Sequence, residues 1–346
     1  MTRPQSSYRR AGVDIDAKYR AVQDARAAIR ETYTPGVIGD VGAFGGLFDL
    51  DKVGANGQLL VASTDGVGTK VKVAQRAGRL RGVGHDLVNH CVGDILVQGA
   101  RPLFFLDYIA VDTMEPTAVT EVIVGLAEAC KANGCALLGG ATAEMPGVYR
   151  PGEIDVAGTI VGCVARERLL DGSRIDAGDV VVALPSSGLH TNGYSLARKA
   201  LFEDAAMALD EGLDELDGAS LADALLVPHK SYLAAVWPLL EAELVHGMAH
   251  ITGGGLPDNV PRVLPADLAV EIERDAMPRP PIFDLILRAA DLDRDEAYRV
   301  FNMGFGMRLF VAPADVDAVC AQLASRGEHA QVVGRVVPGS REVRLS

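Results

Sequence analysis

The chain is expected to be an α+β protein of layered α/β type, divided into two domains. Its 346 residues exceed one typical core and point to about two domains. In the first half, apolar runs of strand length alternate with helical stretches in the order strand, helix, strand, helix, strand, strand. Composition then turns polar around Arg166–Asp179, with Arg-Glu-Arg, Asp-Gly-Ser-Arg and Asp-Ala-Gly-Asp in succession. The boundary falls there, giving domains over 1–170 and 171–346.

The elements follow in chain order. Residues 1–17 read as a polar tail with a small hydrophobic anchor, and 17–31 as an Ala- and Arg-rich helix. Gly42 to Leu50 reads as a loop with two aromatics, either a turn with hydrophobic plugs or a substrate loop. Leu59-Leu60-Val61-Ala62 is a buried strand that breaks into Ser63-Thr64-Asp65-Gly66-Val67-Gly68-Thr69-Lys70. That turn carries the chemistry of a triphosphate site. Glycines bring backbone N–H groups close to phosphate oxygens, Lys70 can neutralise their charge, and Asp65 offers Mg²⁺ a hard oxygen ligand. It is neither a P-loop nor a dinucleotide fingerprint, and a plain turn is the alternative.

Residues 86–98 form an amphipathic helix with Leu87, Val88, Cys91, Val92, Ile95 and Leu96 on one stripe. Asp94 borders that stripe, so it is either paired or metal-bound, or it sits on an exposed rim. Gly99 and Pro102 stop the helix. Leu103–Val111 is a strand interrupted by Asp107, an acid that wants a partner. Pro116 opens a helix with Val119, Val122, Ile123, Leu126, Ala127 and Cys130 inward, closed by Asn133-Gly134. Cys135–Leu138 and 154–165 are strands.

In the second half, strand Val180–Leu184 feeds Pro185-Ser186-Ser187-Gly188-Leu189-His190-Thr191-Asn192-Gly193 and a helix from about Tyr194, a turn suited to an anion. Residues 203–224 read as an acidic surface insertion. A helix over 229–244 and a strand at Met248–Ile251 follow. Thr252-Gly253-Gly254-Gly255 is a second phosphate-type cradle. A strand ending at Val311, a helix over 313–326 and a strand over Gln331–Val337 complete the chain.

Composition narrows the function. Hydrophobic residues make up 49% and charged residues 23%, an ordinary globular balance. A net charge of −13 argues against nucleic acid as the main partner and leaves anionic small substrates open. The five cysteines lack metal or CxxC spacing and read as reduced thiols, mostly buried. The stretch Met1–Tyr8 has no signal-peptide core, and no run reaches the ~18 apolar residues of a membrane span. A cytoplasmic location without membrane contact is expected.

Several segments together resemble one family. They are Tyr8…Ala11-Gly12-Val13-Asp14-Ile15, Gly42…Gly45-Gly46-Leu47-Phe48, Thr64–Lys70, Asp94-Ile95-Leu96-Val97-Gln98-Gly99-Ala100 and Pro102–Tyr108. Ser187-Gly188…His190…Asn192–Leu196, His250…Thr252–Gly255 and Tyr298-Arg299…Phe301–Gly304 continue the set. In this order, from about residue 8 to residue 340, they resemble the phosphoribosylformylglycinamidine cyclo-ligase (AIR synthetase) family.

The resemblance implies an ATP-dependent enzyme that closes formylglycinamidine ribonucleotide to aminoimidazole ribonucleotide in purine synthesis, releasing ADP and phosphate. It implies an N-terminal domain whose strands build a barrel with a second copy in a homodimer, and a C-terminal domain that closes the cleft. On that basis Asp65 and Asp94 hold Mg²⁺, and Gly66, Gly68, Thr69 and Lys70 meet ATP phosphates. Asp107 is a further metal or nucleotide residue. His190 and Asn192 face the substrate, with His190 as acid or base, and Thr252–Gly255 hold the ribotide phosphate. Two positions depart from the family pattern: Ala141 stands where a Glu is usual, and Gly93 where Asn precedes the helix Asp. A related small-molecule kinase is one alternative, and a nucleotide-binding maturation or scaffold protein without ring-closing chemistry, from a different class, is the other. The absence of any Cys before Cys91 speaks against a selenophosphate synthetase.

Overall fold

The computed structural model describes residues 36–39, 46–53, 57–274, 276 and 279–346. The expected N-terminal tail, the helix over 17–31 and the loop portion Gly42–Gly45 lie outside the described residues. Gly46–Leu50, expected as loop, is instead largely strand, because Gly46–Asp49 pairs antiparallel with the strand that follows.

Six strands form a first sheet. They are β1 (Val37–Ile38), β2 (Gly46–Asp49), β3 (Gln58–Gly66), β4 (Arg101–Val111), β5 (Ala136–Glu144) and β6 (Ile154–Ala165). Their spatial order is β1-β2-β3-β6-β4-β5, with only β4 and β5 parallel. Helices α1 (Lys70–Ala77), α2 (Arg81–Leu96) and α3 (Pro116–Ala132) lie between strands in the chain. Side chains alternate across a strand, so Leu59, Val61, Phe105, Ile109, Val156 and Ile160 pack into the core with Leu87, Val88, Cys91 and Ile95 of α2. Each such apolar side chain contributes about 1.5–3 kcal/mol by leaving water. On α3 the inward face carries Val119, Val122, Gly125, Leu126, Ala129 and Cys130. Ile123 and Ala127, expected inside, are exposed because they fall on the outer edge of the helical stripe.

The second sheet contains β7 (Val180–Pro185), β8 (Gly247–His250), β9 (Leu268–Ile272), β10 (Phe305–Val311), β11 (Gln331–Pro338) and β12 (Val343–Leu345). Its order is β12-β9-β11-β7-β10-β8, antiparallel except for β12 against β9. Around it lie α4 (Tyr194–Arg198, continued by a π-helical turn to Asp204), α5 (Leu221–Leu225), α6 (Leu233–Glu241) and α7 (Gly255–Asn259). Then come α8 (Pro281–Ala290), α9 (Arg294–Val300) and α10 (Val316–Ala324). This sheet is covered on both faces. Val182, Leu184, Met307 and Leu309 pack with Val236, Leu239, Val319 and Leu323, while Val181, Ala183 and Phe310 join the main core with Phe283 and Ile286.

The helix over 229–244 covers only Leu233–Glu241, leaving His229 in an extended lead-in whose backbone N–H is held by Asp86 at 2.7 Å. The acidic 203–224 stretch is largely exposed, while Leu209, Leu216 and Leu221 anchor it in the core. Its short helix is fixed by a capping box between Ser220 and Asp223. Among the described residues no helix is long and apolar enough to cross a membrane. All five cysteines are free thiols.

Candidate active site

Two carboxylates and an imidazole meet where the first sheet faces the second. Asp65 is the penultimate residue of β3, its side chain 48% exposed, and its Oδ1 accepts the Gly66 N–H at 2.7 Å. His90 and Asp94 lie four residues apart on α2 and share one face. His90 Nε2 is 3.0 Å from Asp65 Oδ2 and 3.5 Å from Asp94 Oδ2. Asp94 is not on an exposed rim. It is buried, its Oδ2 accepting Ser63 Oγ at 3.2 Å and its Oδ1 facing His250 Nδ1 at 2.8 Å.

A carboxylate only accepts, so His250 Nδ1 carries hydrogen and, in the neutral ring, Nε2 is a lone pair. His229 Nε2, 3.1 Å away, is then the donor, and His229 Nδ1 is left to accept from Thr191 Oγ1 at 3.4 Å. That uses the Thr191 hydroxyl proton, so His90 Nδ1 donates to Thr191 Oγ1 at 2.6 Å. His90 Nε2 thus points a lone pair at two carboxylates unless a proton or a cation stands among them. It is buried and has no aligned hydrogen-bond partner among the described residues despite its short distance to Asp65. Burial pulls the His90 pKa down, but the charges of Asp94 and Asp65 outweigh it and hold the pKa up at about 9.

Beside this cluster the chemistry changes sign. His190 is buried, with φ 62°, and stacks on His229 with ring centroids 3.9 Å apart. Burial drives the pKa of both rings well below the usual value, and neighbouring histidines and Lys70 add to the effect. The Ser187 N–H points at His190 Nε2 at 3.2 Å, so in the neutral ring Nδ1 holds the hydrogen, and Nδ1 is buried without a partner among the described residues. A Cβ on Gly306 would come within 2.7 Å of His190 Cε1, so glycine there makes room for the ring.

Lys70 is not turned toward an open cradle. Its ammonium donates to Asp86 at 2.7 Å, to the His190 carbonyl at 3.1 Å and to the Val227 carbonyl at 2.7 Å, which uses all three N–H groups. Burial lowers the Lys70 pKa and raises that of Asp86, each opposed by the other's charge. The adjoining turn stays near the surface. Gly68 has φ +70°, and Thr69 Oγ1 meets Ser195 Oγ at 3.0 Å. Asp107 sits in the same row of the sheet as Asp65, one strand beyond Gly158, which puts them about 10 Å apart. It is half-buried, and burial raises its pKa.

Asn192 packs on the Thr252–Gly255 turn, its Oδ1 3.0 Å from where a Gly253 Cβ would stand. Asn259 braces that turn by donating to the carbonyls of Thr252, Gly253 and Gly255. The structure therefore brings Asp65 to Asp94 and Asn192 to the Thr252 turn, and leaves Asp107 apart. The sequence reading gave no role to His90, His229, His250, Asp86 and Asn259. The spacing of His90 and Asp94 is a local signal for one of them. The others come from distant parts of the chain.

Of the two departures, Gly93 has a clear physical reason. A Cβ there would lie 2.7–3.0 Å from His250 ring atoms, so the helix loses a side chain where the imidazole lies against it. Ala141 lies on edge strand β5, in register with Tyr108. Glu144 Oε1 accepts the Met114 N–H at 2.7 Å.

The sequence matches define a class. Residues 28–164 match the model of the AIR synthase related protein N-terminal domain, and residues 176–345 its C-terminal domain. The chain is a two-domain protein of that class. Within the class it belongs to the phosphoribosylformylglycinamidine cyclo-ligase family. It is 52% identical to the enzyme of that name from Anaeromyxobacter dehalogenans, over 96% of each chain. It is 49% identical to that of Bifidobacterium animalis subsp. lactis, over 96% of this chain and 97% of the other. Among solved structures, the thiamine-monophosphate kinase of Stenotrophomonas maltophilia shares the fold, with TM-score 0.65, 19% identity, and coverage of 94% and 96%. AaThiL complexed with AMPPCP and TMP shares it with TM-score 0.62, 14% identity, and coverage of 96% and 95%.

Proposed function

We propose that this protein is the ATP-dependent cyclo-ligase that converts formylglycinamidine ribonucleotide to aminoimidazole ribonucleotide, ADP and phosphate. The observation that carries this reading is the convergence of Asp65, His90 and Asp94 at the junction of two AIR synthase related domains. The chemical problem is that an amide carbonyl is a poor electrophile. The γ-phosphoryl group of ATP passes to the formamide oxygen and ADP leaves. The substrate nitrogen then attacks the activated carbon, the C–O bond to phosphate breaks, and the nitrogen gives up a proton. The protein's work is positioning and charge control.

Asp65 and Asp94 suit Mg²⁺, since both offer carboxylate oxygens around a spot where the His90 lone pair also calls for positive charge. The ion, when bound, offsets phosphate charge. Gly66, Gly68 and Thr69 form the turn we assign to ATP phosphates, with Asp107 farther along the same face. Lys70 in this reading holds the turn to the His190 segment through its buried bonds. His190 supplies an Nδ1–H donor to a substrate oxygen, and Asn192 with Thr252–Gly255 receives the ribotide phosphate. The uncovered face of the first sheet serves a homodimer, where two sheets complete a barrel.

The test is ATP hydrolysis with Mg²⁺, with and without formylglycinamidine ribonucleotide, while imidazole product is measured. ADP is expected in step with aminoimidazole ribonucleotide. Bound ATP with no imidazole product overturns the reading.

A further inference from the structure

His250 has the features of a residue that aims a metal ligand, and nothing in the family resemblance assigns it that task. It is the last residue of β8, fully buried, and paired in register with Met307 of β10. It therefore belongs to the rigid second sheet, whereas Asp94 belongs to α2 on the first. A carboxylate turns easily about its terminal torsion, which is broad and roughly two-fold. The bond from His250 Nδ1 to Oδ1, together with the Ser63 hydroxyl on Oδ2 at 3.2 Å, fixes that torsion and leaves Oδ2 turned toward Asp65 and His90. The ring is itself held. His229 Nε2–H donates to its Nε2 from one side, and the bare backbone of Gly93 accepts its flat face on the other. A mid-helix glycine costs about 1 kcal/mol relative to alanine, and here it clears the space that the ring needs.

We propose that His250 is a positioning residue for divalent metal binding, carried by the second sheet and acting on Asp94 of the first. The proposal rests on the assignment of Asp65 and Asp94 to the metal. Partners that orient a ligand in this way change metal affinity by about 10–100-fold when removed. Metal affinity then depends on the two halves being docked. By linkage, any ligand that steadies the Thr252–Gly255 turn, which follows His250 directly, strengthens metal binding by the same factor that the metal strengthens that ligand.

The experiment uses the full chain with Mn²⁺ as the probe and AMPPCP as the nucleotide, reading free Mn²⁺ by electron paramagnetic resonance. His250→Asn keeps a donor near the Nδ1 position, whereas His250→Gln and His250→Leu do not. The Gln and Leu variants are expected to bind Mn²⁺ about 10–100-fold more weakly, with Asn within about threefold of wild type. Gly93→Ala, which crowds the ring without removing it, is expected to weaken Mn²⁺ as well and covers the case in which Leu fails to fold. Thermal unfolding in chelator is recorded for each variant, since a purely structural role would move that midpoint and leave Mn²⁺ affinity alone. Equal Mn²⁺ affinity in all folded variants overturns the proposal, as does an Asn variant as weak as Gln. Wild type that binds no Mn²⁺ removes the metal assignment and the proposal with it. Wild type that shows the expected Mn²⁺ pattern but makes no imidazole product breaks only the functional reading.

Discussion

The two sheets have the same number of strands and opposite surroundings. The second is covered on both faces, and every residue of its inner strand β10 is buried. Among the described residues, the first has its helices on one face. On the other, Leu106 and Tyr108 of β4 are about two-fifths exposed, and edge strand β5 is exposed along almost its whole length, with Leu138 at 63%. An uncovered apolar face of this kind marks an interaction surface. The second sheet shows the reverse problem. Arg308 is wholly buried on β10, over the Phe305 ring at 4.2 Å, with Nε and Nη2 lacking hydrogen-bond partners among the described residues. Burial brings its pKa down to about 9. One sheet exposes what is apolar and the other encloses what is charged, so strand composition alone does not tell which face is covered.

The sharpest way to break this contrast is to put one charge on each sheet. Leu309→Asp buries an unpaired carboxylate between packed helices and is expected to cost at least ~4 kcal/mol, seen as loss of soluble, folded protein. Leu106→Asp is expected to leave the circular dichroism spectrum unchanged and to halve the molar mass in light scattering. An unchanged mass would remove the face from the proposed dimer.

The seam between the sheets gives the next effect. His190 and His229 have folded pKa values below the unfolded value of about 6.5. Their contribution is therefore complete above pH 6.5 and is lost as pH falls below it, at about 1.4 kcal/mol per pH unit for each ring. His90 runs the other way. Its pKa is raised to about 9, so its contribution is complete below 6.5 and fades as pH rises to about 9. Denaturant midpoints measured in chelator are expected to peak near pH 6.5. A flat profile from pH 5.5 to 7.5 would contradict the buried neutral pair.

The smallest effect sharpens the comparison. Arg308→Met removes the enclosed charge and keeps the volume, and is expected to stabilise the protein by about 1–3 kcal/mol. A lowered melting temperature would show that the guanidinium has a partner that the packing does not reveal.

Much of the first domain was legible because its elements are long and periodic. The strand from Leu59, the stripe on α2 and the run 154–165 all advertise themselves. The second domain hid β9 and α8, neither of which the sequence reading identified. β9 is a five-residue run broken by Glu271, and α8 opens after a Pro-rich stretch. At the site, Asp65 is legible as the carboxylate of a glycine-rich turn after a strand, and Asp94 as an acid bordering an apolar stripe. Lys70 looked like a phosphate ligand because its buried partners, Asp86 and the carbonyls of His190 and Val227, lie 16, 120 and 157 residues away. His250 reaches Asp94 across 156 residues, a meeting that no local pattern announces.

Strand β7 has a consequence for how the chain is made. Its two hydrogen-bonding neighbours are β10 and β11, so Val180–Leu184 pair with residues beyond 300 on both edges. At ribosomal speeds of about 5–20 residues per second, the strand spends several seconds without either neighbour. Translation can complete the first sheet while the second still waits for its last third. The histidine bridge from β8 to α2 is carried by a strand whose own neighbour, β10, leaves the ribosome more than fifty residues later.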